Sequence, residues 1–152
     1  MSADIPAGAL LGVDFGAVRI GVAACGPERI LAFPLDTVPA SDVALNRLVD
    51  LAEQAQAVAI IVGWPLALDG SAATAAQRVE AEAAALARLA PQPVWLVDER
   101  LTTAEAAKKL RQAGKNTRRA RAVIDGGAAV GILETTIRAL AAGQSLGWRV
   151  GG

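Results

Sequence analysis

Histidine is absent from the sequence. That excludes Ser-His-Asp and Cys-His catalysis, imidazole metal ligands and a histidine general base, so any metal chemistry falls chiefly to carboxylates. A single cysteine, Cys25, cannot form an internal disulfide; it fits a small core residue in a reducing cytosol. Tyrosine is also absent and there are three tryptophans, which argues against an aromatic stacking platform for single strands. Trp64 is the one candidate base-stacker, with half-buried packing an equal reading. No apolar run approaches the roughly 20 residues of a membrane span. The start, Met-Ser-Ala-Asp-Ile-Pro, lacks the basic opening and apolar stretch of a signal peptide. Net charge is absent too: 15 Lys and Arg balance 15 Asp and Glu. The expectation is a single soluble, cytoplasmic domain over residues 1–152, with a core at about 9–142 and loose ends at 1–8 and 143–152.

What is present begins with Leu10-Leu11-Gly12-Val13-Asp14-Phe15-Gly16, followed by Arg19-Ile20-Gly21-Val22-Ala23. An apolar strand ends in a carboxylate, turns at a glycine and returns. A third strand is read at 29–33, before Pro34, completing an antiparallel meander. Ser41 and Asp42 offer N-caps for an amphipathic helix to about residue 56, with Leu45, Leu48, Val49 and Ala52 on its apolar face. The continuous apolar run 57–62 reads as a strand covered on both faces. A loop through Asp69-Gly70-Ser71 feeds an Ala-rich helix at about 73–90, whose stripe is Val79, Ala83, Leu86 and Ala90. A fifth strand follows at 94–97. Thr102 and Glu105 form a capping box for a helix at about 103–113, and a last helix runs over about 120–142. The sum is an α/β fold: one mixed five-stranded sheet, three antiparallel strands then two parallel, with helices on both faces.

Three acids can converge in such a sheet. Asp14 ends the first strand, Glu99 (beside Asp98) follows the fifth, and Asp125 lies in a Gly-rich apolar run of the last helix. Sites in open sheets form outside the carboxyl ends of parallel strands. Strand alternation sends Asp98 and Glu99 to opposite sides, so one of them joins the cluster. Glycines 126, 127 and 131 each weaken a helix by about 1 kcal/mol relative to Ala. Close backbone approach to the sheet is their expected compensation. Carboxylates without histidine describe a hard-cation site for Mg²⁺ or Mn²⁺, and a two-ion arrangement suits in-line attack of water on a phosphodiester. The alternative is that the three acids are separate structural groups.

The charge distribution favours a polyanion. Lys108, Lys109, Arg111, Lys115, Arg118, Arg119 and Arg121 gather in one stretch with no acid between them. A solvated helix face would normally interleave glutamates, so the cluster reads as a phosphate-tracking patch. Arg19, Trp64 and Arg100 are further candidate substrate contacts.

Asp14-Phe15-Gly16 with Arg19-Ile20-Gly21-Val22-Ala23, Val62-Gly63-Trp64-Pro65-Leu66 with Asp69-Gly70-Ser71, Val97-Asp98-Glu99-Arg100-Leu101-Thr102-Thr103, and Asp125-Gly126-Gly127-Ala128-Ala129 resemble, in order and spacing, the motifs of the YqgF family. The resemblance covers about residues 9–140. It implies a RuvC-like, RNase H-like fold, and either Holliday junction resolution or maturation of the 16S ribosomal RNA precursor. It also implies Asp14, Glu99 and Asp125 as metal-binding catalytic acids. Ala17-Val18 stand where the family usually has Thr-Lys, Trp64 where it often has Leu, and Ala67 where it often has Asn. These departures touch substrate contacts rather than the metal acids.

The leading expectation is a metal-dependent nuclease acting on RNA or branched DNA. Ribosomal precursor particles are candidate partners, and a homodimer would be needed for junction resolution; the last helix, Leu146 and Trp148 are candidate dimer surfaces. One alternative is a non-catalytic nucleic-acid or ribosome-binding module on the same fold. The other is an actin-like ATPase fragment, which the length disfavours because such enzymes clamp nucleotide between two lobes.

Overall fold

The computed structural model describes residues 5–65, 72–98, 117–144 and 147–151; within its helices, the side chains of 72–73 and 117–126 lie outside that description. The elements are β1 (Ala9–Phe15), β2 (Arg19–Cys25), β3 (Ala32–Pro39), α1 (Ala44–Gln54), β4 (Ala57–Trp64), α2 (Ala72–Leu89), β5 (Val94–Asp98), α3 (Thr117–Ala141) and β6 (Gly147–Arg149). The expected helix at 103–113, its capping box and the loop at Asp69-Gly70-Ser71 lie outside the described residues.

The sheet order is β3-β2-β1-β4-β5-β6. β1 pairs antiparallel with β2, and β2 with β3; β1–β4 and β4–β5 are parallel. The expected meander and parallel pair are therefore present, but the sheet has six strands rather than five. The sixth is built from the tail expected to be loose. β6 pairs antiparallel with β5, setting Trp148 opposite Leu96, and the Val150 amide donates to the Val94 carbonyl at 2.8 Å. Gly147 permits the approach: a Cβ there would stand 2.0 Å from the Leu96 carbonyl oxygen.

Two further expectations shift. The third strand starts later and runs through Pro34 to Pro39, because an edge strand tolerates residues that cannot donate to a ladder. A register irregularity between Val22 and Ala23 accommodates it. The leader is held rather than frayed from residue 5 onward: Ile5 packs on the core, and the Arg29 guanidinium donates to the carbonyls of Gly8, at 2.8 Å, and Pro6.

Alternation along the strands makes two cores. Leu11, Val13, Phe15, Val62 and Leu96 face α1 and α2, which contribute Leu48, Leu51, Ala52, Val79, Ala83 and Leu86. Val79, Ala83 and Leu86 of the expected α2 stripe are thus buried, while Ala90 falls just past the helix and is half-buried. In α1 Leu48 and Ala52 are fully covered, while Leu45 and Val49 are only half-buried. Its N-cap is Val43, without a side-chain cap bond; Ser41 instead accepts the Val43 amide at 3.4 Å. On the opposite face, Leu10, Ala23, Cys25, Ile61, Trp95 and Val97 pack against Ala129, Ile132 and Leu133 of α3. Cys25 is buried, and burial pushes its thiol pKa up, as suits an inert core residue. Thr136, the buried polar residue of this face, donates to the Ile132 carbonyl at 2.8 Å and so carries no unmet bond.

Candidate active site

The carboxyl ends of β1, β4 and β5 come to one edge of the sheet. Trp64 is in register with Asp98, and Val13 with Val62, so Asp14 stands one step inside that edge. Alternation turns Asp14 away from the face of Val13 and Phe15 and toward the face covered by α3. At Gly12, two residues earlier, a Cβ would lie 2.6 Å from Leu133 Cγ and 3.0 Å from the Ala129 carbonyl oxygen. The close approach here is made by a strand glycine against Ala129 and Leu133, not by the helix glycines singled out in the sequence. Asp125 belongs to α3, four residues before Ala129 and on the same helical stripe; its side chain lies outside the described residues.

Asp14 is the half-buried member of an otherwise buried strand. Burial pushes its carboxyl pKa above the ordinary value of 3.8, and the Arg78 guanidinium partly opposes this. Arg78, reaching over from α2, donates through Nη2 to the Phe15 carbonyl at 3.4 Å. Gly16 closes the turn: its amide bonds the Arg19 carbonyl at 3.0 Å, and a Cβ would stand 2.4 Å from that same oxygen. Arg78 was not legible in the sequence as a neighbour of Asp14, because 64 positions of chain separate them and only packing of α2 joins them.

Asp98 is half-buried and, by alternation, shares the face of Leu96, opposite to Asp14. Glu99, Arg100, Lys108, Lys109, Arg111 and Lys115 lie outside the described residues. Arg118, Arg119 and Arg121 fall in the first turns of α3, with side chains outside the description. Among the described residues no group of three or more acids or thiols is gathered as a metal site. Arg19 opens β2 and is exposed. Trp64 is the last residue of β4 rather than part of the following loop; it is half-buried, and its indole N–H donates to Glu80 Oε2 at 3.2 Å. No described helix is long and apolar enough to cross a membrane.

A family model described as "RuvX: Holliday junction resolvase" matches residues 8–139. The chain belongs to this family. The resemblance to YqgF read from the motifs is the same assignment. A Cutibacterium acnes protein named "Putative pre-16S rRNA nuclease" is 44% identical over 139 residues, covering 91% of this chain and 87% of the relative. A Mycobacterium tuberculosis protein of the same name is 49% identical over 131 residues, covering 84% and 77%. Among solved structures, Thermus thermophilus RuvC in complex with a Holliday junction substrate superposes with a TM-score of 0.64 at 15% identity, covering 92% of this chain and 99% of that one. At that identity the likeness concerns the fold, and it places this RuvX-family chain on the RuvC-like, RNase H-like architecture. Membership of the RuvX family, rather than the architecture, weighs against the actin-like reading.

Proposed function

We propose that this RuvX-family chain is a divalent-metal-dependent nuclease hydrolysing phosphodiester bonds in structured nucleic acid, with Asp14, Glu99 and Asp125 as its metal-binding acids. The observation that carries the proposal is the Asp14 carboxylate, half-buried at the carboxyl end of a central strand where burial disfavours its charge. A cation bound here would offset the burial cost that the Arg78 guanidinium only partly opposes. Oxygen donors without histidine suit Mg²⁺ or Mn²⁺. When bound, a pair of such ions supplies a lowered pKa for the attacking water and neutralises charge at the leaving oxygen.

The chain's own residues do the positioning. β1 turns Asp14 to the α3 face, and the close approach of α3 at Gly12 supports a role for Asp125, one turn before Ala129. Asp98 is directed to the other face, which favours Glu99 for the third role. The basic residues at 108, 109, 111, 115, 118, 119 and 121, with Arg19 and Arg100, track phosphates. The names of the relatives favour the 16S ribosomal RNA precursor as substrate, met on ribosomal precursor particles in the cytoplasm. Resolution of Holliday junctions is the second reading, favoured by the family description; symmetric cutting then requires a homodimer with two sites about a two-fold axis.

Cleavage of labelled branched DNA, single-stranded RNA and a ribosomal RNA precursor with Mn²⁺, Mg²⁺ or EDTA, beside Asp14→Asn, tests this. Metal-dependent cutting that disappears in the variant is the expected result, and the preferred substrate decides between the two readings. Equal binding by both proteins with no cutting of any substrate would leave a binding module on a nuclease fold.

A further inference from the structure

Three tryptophans are all the indole this chain has, and two of them meet on the α1/α2 face of the sheet, toward the carboxyl ends of β4 and β5. The Trp64 and Trp148 ring centroids lie 5.3 Å apart with planes at 76°, an edge-to-face pair. Trp64 ends β4 and is anchored on both sides, by packing on the α1/α2 core and by its hydrogen bond to Glu80. Trp148 is different. It sits on the short strand β6, remains 44% exposed and is not part of either core. In an edge-to-face pair one ring presents its rim to the other, so at least one face of Trp148 has no cover from Trp64. Its backbone is nonetheless fixed. Backbone pairing fixes Gly147, Trp148 and Arg149 on β5, and the Val150 amide ties down the following residue. A large indole, nearly half exposed and carried on a paired strand, has the chemistry of a single-strand nucleic-acid contact.

We propose that Trp148, propped by Trp64, is a stacking site for an unpaired base of the nucleic acid, a contact created by β6. Trp148 pairs with Leu96 and so lies with Trp64 on the α1/α2 face, toward the carboxyl ends of β4 and β5, whereas Asp14 is turned to the α3 face. A stacking site of this kind holds single-stranded segments in preference to fully paired ones. Base stacking there does not rest on the nuclease reading.

The test is a titration of the full chain in EDTA, read by tryptophan fluorescence and by anisotropy of labelled oligonucleotide. The ligands are a 12-nucleotide oligouridylate and a blunt duplex of equal length. Wild type, Trp148→Ala, Trp148→Phe and Trp64→Phe are compared, with thermal melting as the check of folding. The single strand is expected to quench wild-type fluorescence, while the buried Trp95 stays silent. Trp148→Ala should weaken single-strand binding roughly tenfold and leave duplex binding unchanged. Trp148→Phe should retain most of the affinity, which also covers the case in which the alanine variant fails to fold. Wild-type affinity for the single strand in Trp148→Ala, or an equal loss on both ligands in Trp148→Phe, would overturn the proposal. Because no metal is present, a chain that binds as expected but never cuts would fail the nuclease reading alone.

Discussion

Asp14 bears the sharpest predictions at the scale of the residue. Its folded-state pKa lies above the ordinary value, so the native chain binds the proton more tightly than the unfolded chain does. Native stability must then fall as pH rises through the window between 3.8 and the raised value, because the unfolded state ionises first. Above that window the cost of the buried charge is fully present. Asp14→Asn is accordingly expected to melt at a higher temperature than wild type at pH 7 in EDTA, with the gap closing as pH is lowered toward 4. Mn²⁺ should raise the melting temperature of wild type and not of the variant. Gly12→Ala tests the neighbouring contact. Its Cβ would meet Leu133 and the Ala129 carbonyl, so destabilisation by about 1–3 kcal/mol is expected, measured as a shift in urea midpoint at constant m. Asp14 was legible as a candidate from one carboxylate ending an apolar run. That Arg78 stands beside it was not, since the pairing exists only once α2 lies across the sheet.

Among the elements, β6 is the one that local reading missed. A glycine-rich tail has weak strand propensity, and a stretch of three residues carries too little alternation to declare itself. Its pairing depends on an open edge at β5, a property of the assembled sheet. Gly147→Val is expected to detach it, since any side chain there would collide with the Leu96 carbonyl. Hydrogen exchange at the Val150 amide should then rise to a loop-like rate while Val62, in the central strand β4, keeps its protection. β3 shows the converse. Pro34 looked like a stop, yet an edge strand has one ladder only, and the sequence does not say which strand will be the edge. By contrast β1, β2, β4, α2 and β5 lie within a residue or two of their expected bounds, because their apolar periods are long and cleanly terminated.

On the scale of the molecule, the zero net charge conceals an uneven distribution along the chain. Replacing Lys108, Lys109 and Arg111 together by Gln is expected to weaken nucleic-acid binding across sequences. The slope of log K against log salt should flatten by roughly 0.7–0.9 for each phosphate that is no longer neutralised, read from anisotropy at several salt concentrations. Trp148→Ala should leave that slope unchanged, since stacking releases no counterions. Composition and pattern by themselves determined the chemistry available: hard oxygen donors in place of imidazole, a basic stretch for a polyanion, and strand and helix periods that add up to a mixed sheet with helices on both faces. These are properties of residue type and spacing, which the chain carries before it folds. Tertiary structure alone decided which groups meet. Close packing of α3 at Gly12, the reach of Arg78 to the end of β1, and the meeting of Trp64 with a tryptophan 84 positions later are contacts between distant segments, set by strand order and by which sheet edge remained open.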